Sequence, residues 1–256
     1  MPINPIVTEQ LTVVVNEREG VTALLYAAPK KNRAGITMIL GHGAGADQMH
    51  AFMRLFANGL ADRGLDVMTF NFLYKEQGRG APDPKVKLES CYRAVIEAAV
   101  KQKNLRGNRL VIGGKSMGGR IASQVAAEGI RLVPEDKEQS KVRSKKNSSQ
   151  HEEQSSGDLA GLVFLGYPLH PPGKPEQMRD KHLKNISAPM LFIQGSRDVF
   201  GTPDEIRAVI KRDQLPATLY VIESCDHSFN VPKSSSVPQP QVYENAMDEI
   251  VTWLRR

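Results

Sequence analysis

Cysteine and long apolar runs are scarce in this chain of 256 residues. Its two cysteines, Cys91 and Cys225, are too few for a disulfide framework, which favours a reducing compartment. No apolar run approaches the ~18 residues of a membrane helix. The amino terminus lacks the basic start and apolar stretch of a secretory signal. We therefore expect a cytoplasmic protein with no membrane partner.

Two further absences concern metals and nucleic acids. No cluster of His, Cys, Asp or Glu has metal-ligand spacing, so no metal and no cofactor is predicted. The net charge is +6, but the basic residues are scattered. The densest basic cluster, residues 141–146, lies in a segment that also carries many acidic residues. We therefore expect no nucleic-acid partner.

That segment, residues 134–158, is the one clear shift in composition. Val142 is its single aliphatic residue, and it has no aromatic residue. Such a segment cannot bury enough apolar surface to offset the entropy lost on ordering. We predict a disordered surface insertion within one domain spanning residues 1–256. A regulatory or nuclear-targeting role for its basic cluster is the alternative.

The rest of the chain alternates between strand-like and helix-like patterns. Unbroken apolar runs such as residues 36–40 are typical of strands covered on both faces. The alternation predicts an α/β fold with a mostly parallel central sheet and helices on both faces. The first two strands have no helix between them and should form an antiparallel edge. Strands are predicted at 11–15, 22–27, 35–40, 65–72, 109–112, 159–165, 189–194 and 217–222, and helices at 49–63, 84–102, 117–129, 203–211 and 239–255.

Residues 114–118 match the G-x-S-x-G pattern between a predicted strand and a predicted helix. A sharp turn there would place Ser116 in a strained conformation with its hydroxyl exposed, and the flanking glycines avoid clashes. A P-loop would need glycine where Arg109 stands. Residues 41–46 match a dinucleotide-binding pattern, but the next strand does not end in the acidic residue that this reading expects. A serine nucleophile is therefore the favoured interpretation.

A serine nucleophile needs a base and an acid that orients the base. In hydrolases with such a turn, the chain order is Ser, Asp or Glu, then His. Asp198 follows the predicted strand 189–194, and His227 follows the last predicted strand. Asp226 adjoins His227 and would point away from it. We predict Ser116, Asp198 and His227 as catalytic residues.

An oxyanion hole is predicted from small residues after the strand 35–40. Small side chains let backbone N–H groups approach a developing negative charge. One donor would be the N–H of Met117, directly after the serine. The second would be the N–H of Ala44, with Gly43 as the alternative.

Together these residues carry a family resemblance. The sequences around Ser116, His42, Asp198 and His227 resemble those of α/β-hydrolases. Residues 71–83, 166–175 and 226–233 are similar to the branch related to testis-expressed protein 30, which in turn resembles dienelactone hydrolases. The resemblance implies the α/β-hydrolase fold and the triad positions but no particular substrate. A distant relative is a subunit of a chromatin complex, so a non-enzymatic role stays open.

The predicted function is a serine hydrolase acting on an ester, thioester or related acyl bond of a small molecule. Only about 23 residues separate the strand ending at 165 from the next, too few for a cap domain. The alternatives are an acyltransferase using the same triad and a hydrolase-like protein-interaction module. The sequence does not indicate the oligomeric state. Candidate residues for the substrate pocket are Met49, His50, Leu73, Tyr74, Tyr167, His170 and Phe200.

Overall fold

One sheet of eight strands organises the computed structural model, which describes residues 8–130 and 159–256. The predicted insertion at 134–158 lies outside the described residues. All eight predicted strands are confirmed, with bounds that differ by a few residues. They are β1 (Thr8–Val14), β2 (Gly20–Tyr26), β3 (Ile36–Gly41), β4 (Asp66–Phe70), β5 (Arg109–Lys115), β6 (Gly161–Leu165), β7 (Met190–Gly195) and β8 (Ala217–Ile222).

The strand order is β1-β2-β4-β3-β5-β6-β7-β8. β1 pairs antiparallel with β2, and β2 pairs antiparallel with β4, whereas every later pairing is parallel. The antiparallel edge predicted from the missing first helix is therefore confirmed. β3, β4, β6 and β7 are buried along their whole length, as their apolar runs indicated.

Helices cover both faces of the sheet. Their bounds are α1 (Ala51–Asp62), α2 (Leu73–Glu76), α3 (Lys85–Lys101), α4 (Met117–Ala127), α5 (Pro203–Asp213) and α6 (Gln239–Leu254). The five predicted helices are confirmed, and the four-residue α2 is an addition. One apolar core includes Tyr92 of α3, Ile121 of α4 and Ile206 of α5. The other core includes Phe56 of α1 and Met247 of α6.

The order of the strands creates a crevice beside β3. The chain leaves β3 for β4 on one side, and β5 lies on the other side. In open α/β sheets, the carboxyl ends of strands at such a reversal form the usual binding crevice. The segment that joins β6 to β7, which the structure describes in full, has the 3₁₀ turn Leu183–Asn185 as its only helix, so this segment forms no cap domain. No helix in residues 8–130 and 159–256 has both the length and the apolar character to cross a membrane.

Candidate active site

Ser116 stands on a tight turn between β5 and α4. Its φ of +51° and ψ of −114° are strained for a residue with a side chain, as the motif predicted. The turn packs closely on the end of β3. A β-carbon on Gly114 or on Gly118 would lie 2.3 or 2.2 Å from the Gly41 carbonyl oxygen. Glycine is therefore required on both sides of the serine, which is the pattern seen in the sequence.

Ser116, His227 and Asp198 form a continuous row of hydrogen bonds. Ser116 Oγ lies 2.8 Å from His227 Nε2, and His227 Nδ1 lies 2.7 Å from Asp198 Oδ2. Because a carboxylate only accepts, Nδ1 carries the imidazole proton and donates it to Asp198. Nε2 is then free to accept the serine O–H. The structure thus brings together the three residues that the sequence predicted as catalytic.

The electrostatics around His227 favour its neutral form. Burial lowers the pKa of His227 below its ordinary value, and the nearby cation of Lys115 lowers it further. The hydrogen bond to Asp198 opposes both effects. A neutral imidazole at neutral pH is the form that can take a proton from Ser116.

The Asp198 carboxylate is held by groups that the sequence did not single out. Gln194 Nε2 donates to Asp198 Oδ2 at 2.9 Å, and the Phe200 N–H donates to Oδ1 at 2.8 Å. Gln194 also donates to the Gly201 carbonyl and accepts the Tyr167 N–H. Asp198 and Gln194 are both buried. Two fixed donors therefore orient the carboxylate toward His227.

The loop after β3 is organised by His42. This buried ring donates from Nδ1 to the Gly43 carbonyl at 2.8 Å and accepts the Phe72 N–H at Nε2. Burial lowers its pKa to about 4, so it stays neutral at neutral pH. In a trans peptide, the carbonyl of one residue and the N–H of the next point in opposite directions. With the Gly43 carbonyl turned toward His42, the Ala44 N–H is directed away from that ring.

A second serine–histidine pair lies deeper in the molecule. Ser123 Oγ donates its proton to the Arg120 carbonyl and lies 2.7 Å from His182 Nε2, from which it can then only accept. Ser123 is completely buried. Among the described residues, no carboxylate forms a hydrogen bond to His182. This pair therefore joins α4 to the loop between β6 and β7 and offers no exposed hydroxyl.

A cavity of about 670 Å³ opens beside Ser116 and His227. Residues 43–46 line one side of it. Phe52, Met53 and Leu55 of α1 and Tyr243 of α6 form a mainly apolar wall. The ring of Phe200 lies against that of His227, with centroids 4.1 Å apart.

The placement of the predicted pocket residues differs from the sequence-based expectation. His50 and Phe200 line the cavity, and Met49 is an exposed residue outside its lining. The other four are buried side chains with structural contacts. Tyr74, for example, is fully buried and donates its hydroxyl proton to the Ala44 carbonyl. The four are Leu73, Tyr74, Tyr167 and His170.

Several residues of the site were missed in the sequence. Phe52 and Leu55 fall on the predicted first helix, and its amphipathic pattern could have assigned them to an exposed face. Tyr243 lies in the last helix, and no local signal connects it to Ser116. Gln194 adjoins Asp198's loop, but only the folded chain reveals that it donates to Asp198. Lys115 lies within the motif at 114–118, and its contact with the His227 carbonyl is likewise visible only in the structure.

Comparison with known proteins agrees with this fold. The sequence profile of the alpha/beta hydrolase domain matches residues 34–255. An α/β serine hydrolase without lid from Xanthomonas campestris is 18% identical, with a TM-score of 0.66 over 100% of this chain and 99% of that one. A dienelactone hydrolase from Anabaena variabilis is also 18% identical, with a TM-score of 0.64 over 94% and 95% of the two chains.

A third similar structure is Est1E from Butyrivibrio proteoclasticus with bound ferulic acid. It is 14% identical, with a TM-score of 0.67 over 96% of this chain and 100% of that one. At these identities the likeness concerns the fold, and it confirms the predicted α/β-hydrolase fold. With the profile matching most of its length, the chain belongs to the alpha/beta hydrolase domain family.

Proposed function

We propose that this protein is a serine hydrolase that cleaves an ester or thioester through Ser116, His227 and Asp198. The observation that carries the proposal is the row of hydrogen bonds from Ser116 Oγ through His227 to Asp198, at 2.8 and 2.7 Å. His227 takes the proton of Ser116 as its oxygen attacks the carbonyl carbon. The same ring later returns a proton to the leaving group, while Asp198 stabilises the imidazolium.

The oxyanion would be stabilised by the N–H groups of Met117 and Ala44, with Gly43 as the alternative to Ala44. Met117 is the first residue of α4, so its N–H has no partner within the helix. The Ala44 N–H is directed away from His42, and Ala44 lines the cavity. Preorganised donors of this kind act where negative charge develops and contribute a large share of the rate enhancement.

The substrate would be a small molecule with an apolar acyl or alcohol group. Support comes from the side chains of Phe52, Leu55 and Tyr243, which form the wall of the cavity next to the serine. Burial of apolar area on this wall would contribute binding energy at roughly 25 cal/mol per Å². The uncapped end of the sheet leaves the cavity open to such molecules.

We also propose that the chain is one cytoplasmic domain of the branch related to testis-expressed protein 30. Residues 71–83, 166–175 and 226–233 support the branch. The two cysteines, both free and buried, suit a reducing compartment.

Labelling with a fluorophosphonate probe tests the proposed nucleophile. We expect the native protein to label and to hydrolyse p-nitrophenyl butyrate, and Ser116→Ala to do neither. Ser123→Ala is the matched control, because it removes the hydroxyl of the other serine–histidine pair, and it should label like the native protein. An unlabelled native protein, or labelling lost only in Ser123→Ala, would overturn the proposal and favour a non-enzymatic interaction module.

A further inference from the structure

Lys115 is a charged residue beside the site that the proposed mechanism does not use. It is the last residue of β5 and precedes Ser116 directly. Its ammonium group donates a hydrogen bond to the backbone carbonyl of His227, with Nζ and O 2.6 Å apart. One side chain therefore connects the turn that carries the serine with the loop that carries the histidine.

Two aromatic rings lie close to the ammonium group. Nζ is 5.9 Å from the ring centroid of Phe52 and 5.5 Å from that of Phe229, so it faces both rings at cation–π distance. Gly166, with a φ of +69°, lies close to the ammonium group. A β-carbon at that position would lie 3.0 Å from Nζ, 3.1 Å from the His227 carbonyl and 3.4 Å from His227 Nδ1. A glycine there leaves room for the contact between lysine and histidine.

Among the described residues, no carboxylate lies within ion-pair distance of Lys115 Nζ. Burial lowers the pKa of Lys115 to about 8, and the more distant charges of Asp198 and Asp226 only partly oppose this. A half-buried cation on the cavity wall loses part of its hydration without gaining a counter-ion, which costs free energy. An unbranched apolar side chain such as methionine would fill the same space without that cost, so the charge calls for an explanation.

We propose that Lys115 is a positioning residue for His227. Its hydrogen bond fixes the backbone that carries the imidazole. Its positive charge beside the ring disfavours the imidazolium and so lowers the pKa of His227. The negative charges of Asp198 and Asp226 have the opposite effect on that pKa. Lys115 keeps its proton in the pH range where His227 titrates, because its own pKa is the higher of the two. The histidine would thus remain a neutral base to lower pH than Asp198 alone would allow.

The consequence for the reactivity of Ser116 rests on the proposed function, but the effect of Lys115 on the His227 pKa does not. NMR titration of the imidazole measures the His227 pKa directly, whether or not the protein turns over a substrate. His227→Gln identifies the resonance. Lys115→Met removes both charge and donor, whereas Lys115→Arg keeps a permanent charge, and each is compared with the native protein.

We expect the His227 pKa to rise by about one pH unit in Lys115→Met, as for the loss of a nearby like charge. It should stay close to the native value in Lys115→Arg. The acid limb of fluorophosphonate labelling should move to higher pH in the methionine variant by the same amount. An unchanged His227 pKa in Lys115→Met, or an equal rise in both variants, would overturn the proposal.

The role of Lys115 can still be tested if the methionine variant does not fold or if the native protein does not label. If Lys115→Met does not fold, Lys115→Gln removes the charge while keeping a polar donor, and the same rise is expected. If the native protein does not label, the proposed function fails, but the titration still decides the role of Lys115. A rise in pKa without labelling would then support the electrostatic effect alone.

Discussion

At the scale of single residues, Gln194 connects three parts of the site. This fully buried side chain, one residue before the end of β7, accepts the Tyr167 N–H and donates to the Gly201 carbonyl and to Asp198 Oδ2. The oxygen of Asp198 that it contacts is the one that accepts from His227. Gln194 therefore orients the Asp198 carboxylate. Because a donor to a carboxylate withdraws charge from it, Gln194 also weakens the hydrogen bond that Asp198 accepts from the imidazole.

We therefore expect Gln194→Leu to impair the site beyond its effect on stability. Each buried polar group left unpaired costs about 1–3 kcal/mol. The His227 pKa should rise, because Asp198 loses a donor that competes for its charge, and the labelling rate should fall about tenfold. NMR titration and labelling kinetics, taken at a temperature where the variant is folded, measure both. Gln241→Leu, on the exposed surface of α6, is the control and should behave like the native protein. An unchanged His227 pKa in Gln194→Leu would contradict this role.

At the scale of elements, local patterns in the sequence predict most of the sheet but not every helix. β3 and β6 are unbroken apolar runs because both of their faces are covered, and this pattern is visible without the structure. α2 was missed because four residues are too few to show helical periodicity. Its last residue, Glu76, accepts hydrogen bonds from Thr22 and Asn71. Contacts made by the folded chain, rather than helix propensity, hold that turn.

The contact between α4 and β3 makes the turn around Ser116 intolerant of side chains. A β-carbon on Gly118 would lie 2.2 Å from the Gly41 carbonyl oxygen, which is backbone that cannot move aside easily. We expect Gly118→Ala to lower the free energy of unfolding by about 3 kcal/mol. Labelling of Ser116 should fall with it, because the helix start that carries the Met117 N–H must shift.

Gly80→Ala is the matched control for this substitution. A β-carbon there meets nothing within 4 Å, and the backbone φ is one that alanine adopts. Urea denaturation of the two variants should separate them clearly. Equal free energies of unfolding for Gly118→Ala and the native protein would show that α4 can move away from β3 without loss.

Across the protein as a whole, the site combines residues that are far apart in the chain. Ser116, Asp198 and His227 follow three different strands, and the topology of a parallel sheet makes their meeting predictable. The cavity wall cannot be predicted in this way, because Phe52 and Tyr243 come together only when α1 and α6 pack on the same face of the sheet. Loop residues such as Tyr167 were expected at the pocket and instead pack in the core. Side-chain direction in a loop depends on contacts that no local pattern encodes.

The apolar wall of the cavity predicts a preference for longer acyl groups. A negative charge introduced into this wall should weaken that preference. Leu55 lines the cavity and is 40% exposed, so Leu55→Glu places a carboxylate there without disturbing the core. A buried methylene contributes about 0.8 kcal/mol, so the native protein should favour p-nitrophenyl butyrate over the acetate in kcat/KM.

We expect Leu55→Glu to reduce this butyrate-to-acetate ratio about fivefold, since two methylenes that are only partly buried contribute about 1 kcal/mol. Hydrolysis of the acetate should change little, because Ser116 and its partners are untouched. Val86→Glu is the control, as Val86 is an exposed valine of α3, which packs on the opposite face of the sheet. If both glutamate variants change the ratio equally, or if Leu55→Glu slows both esters alike, the wall formed by α1 and α6 does not hold the acyl group.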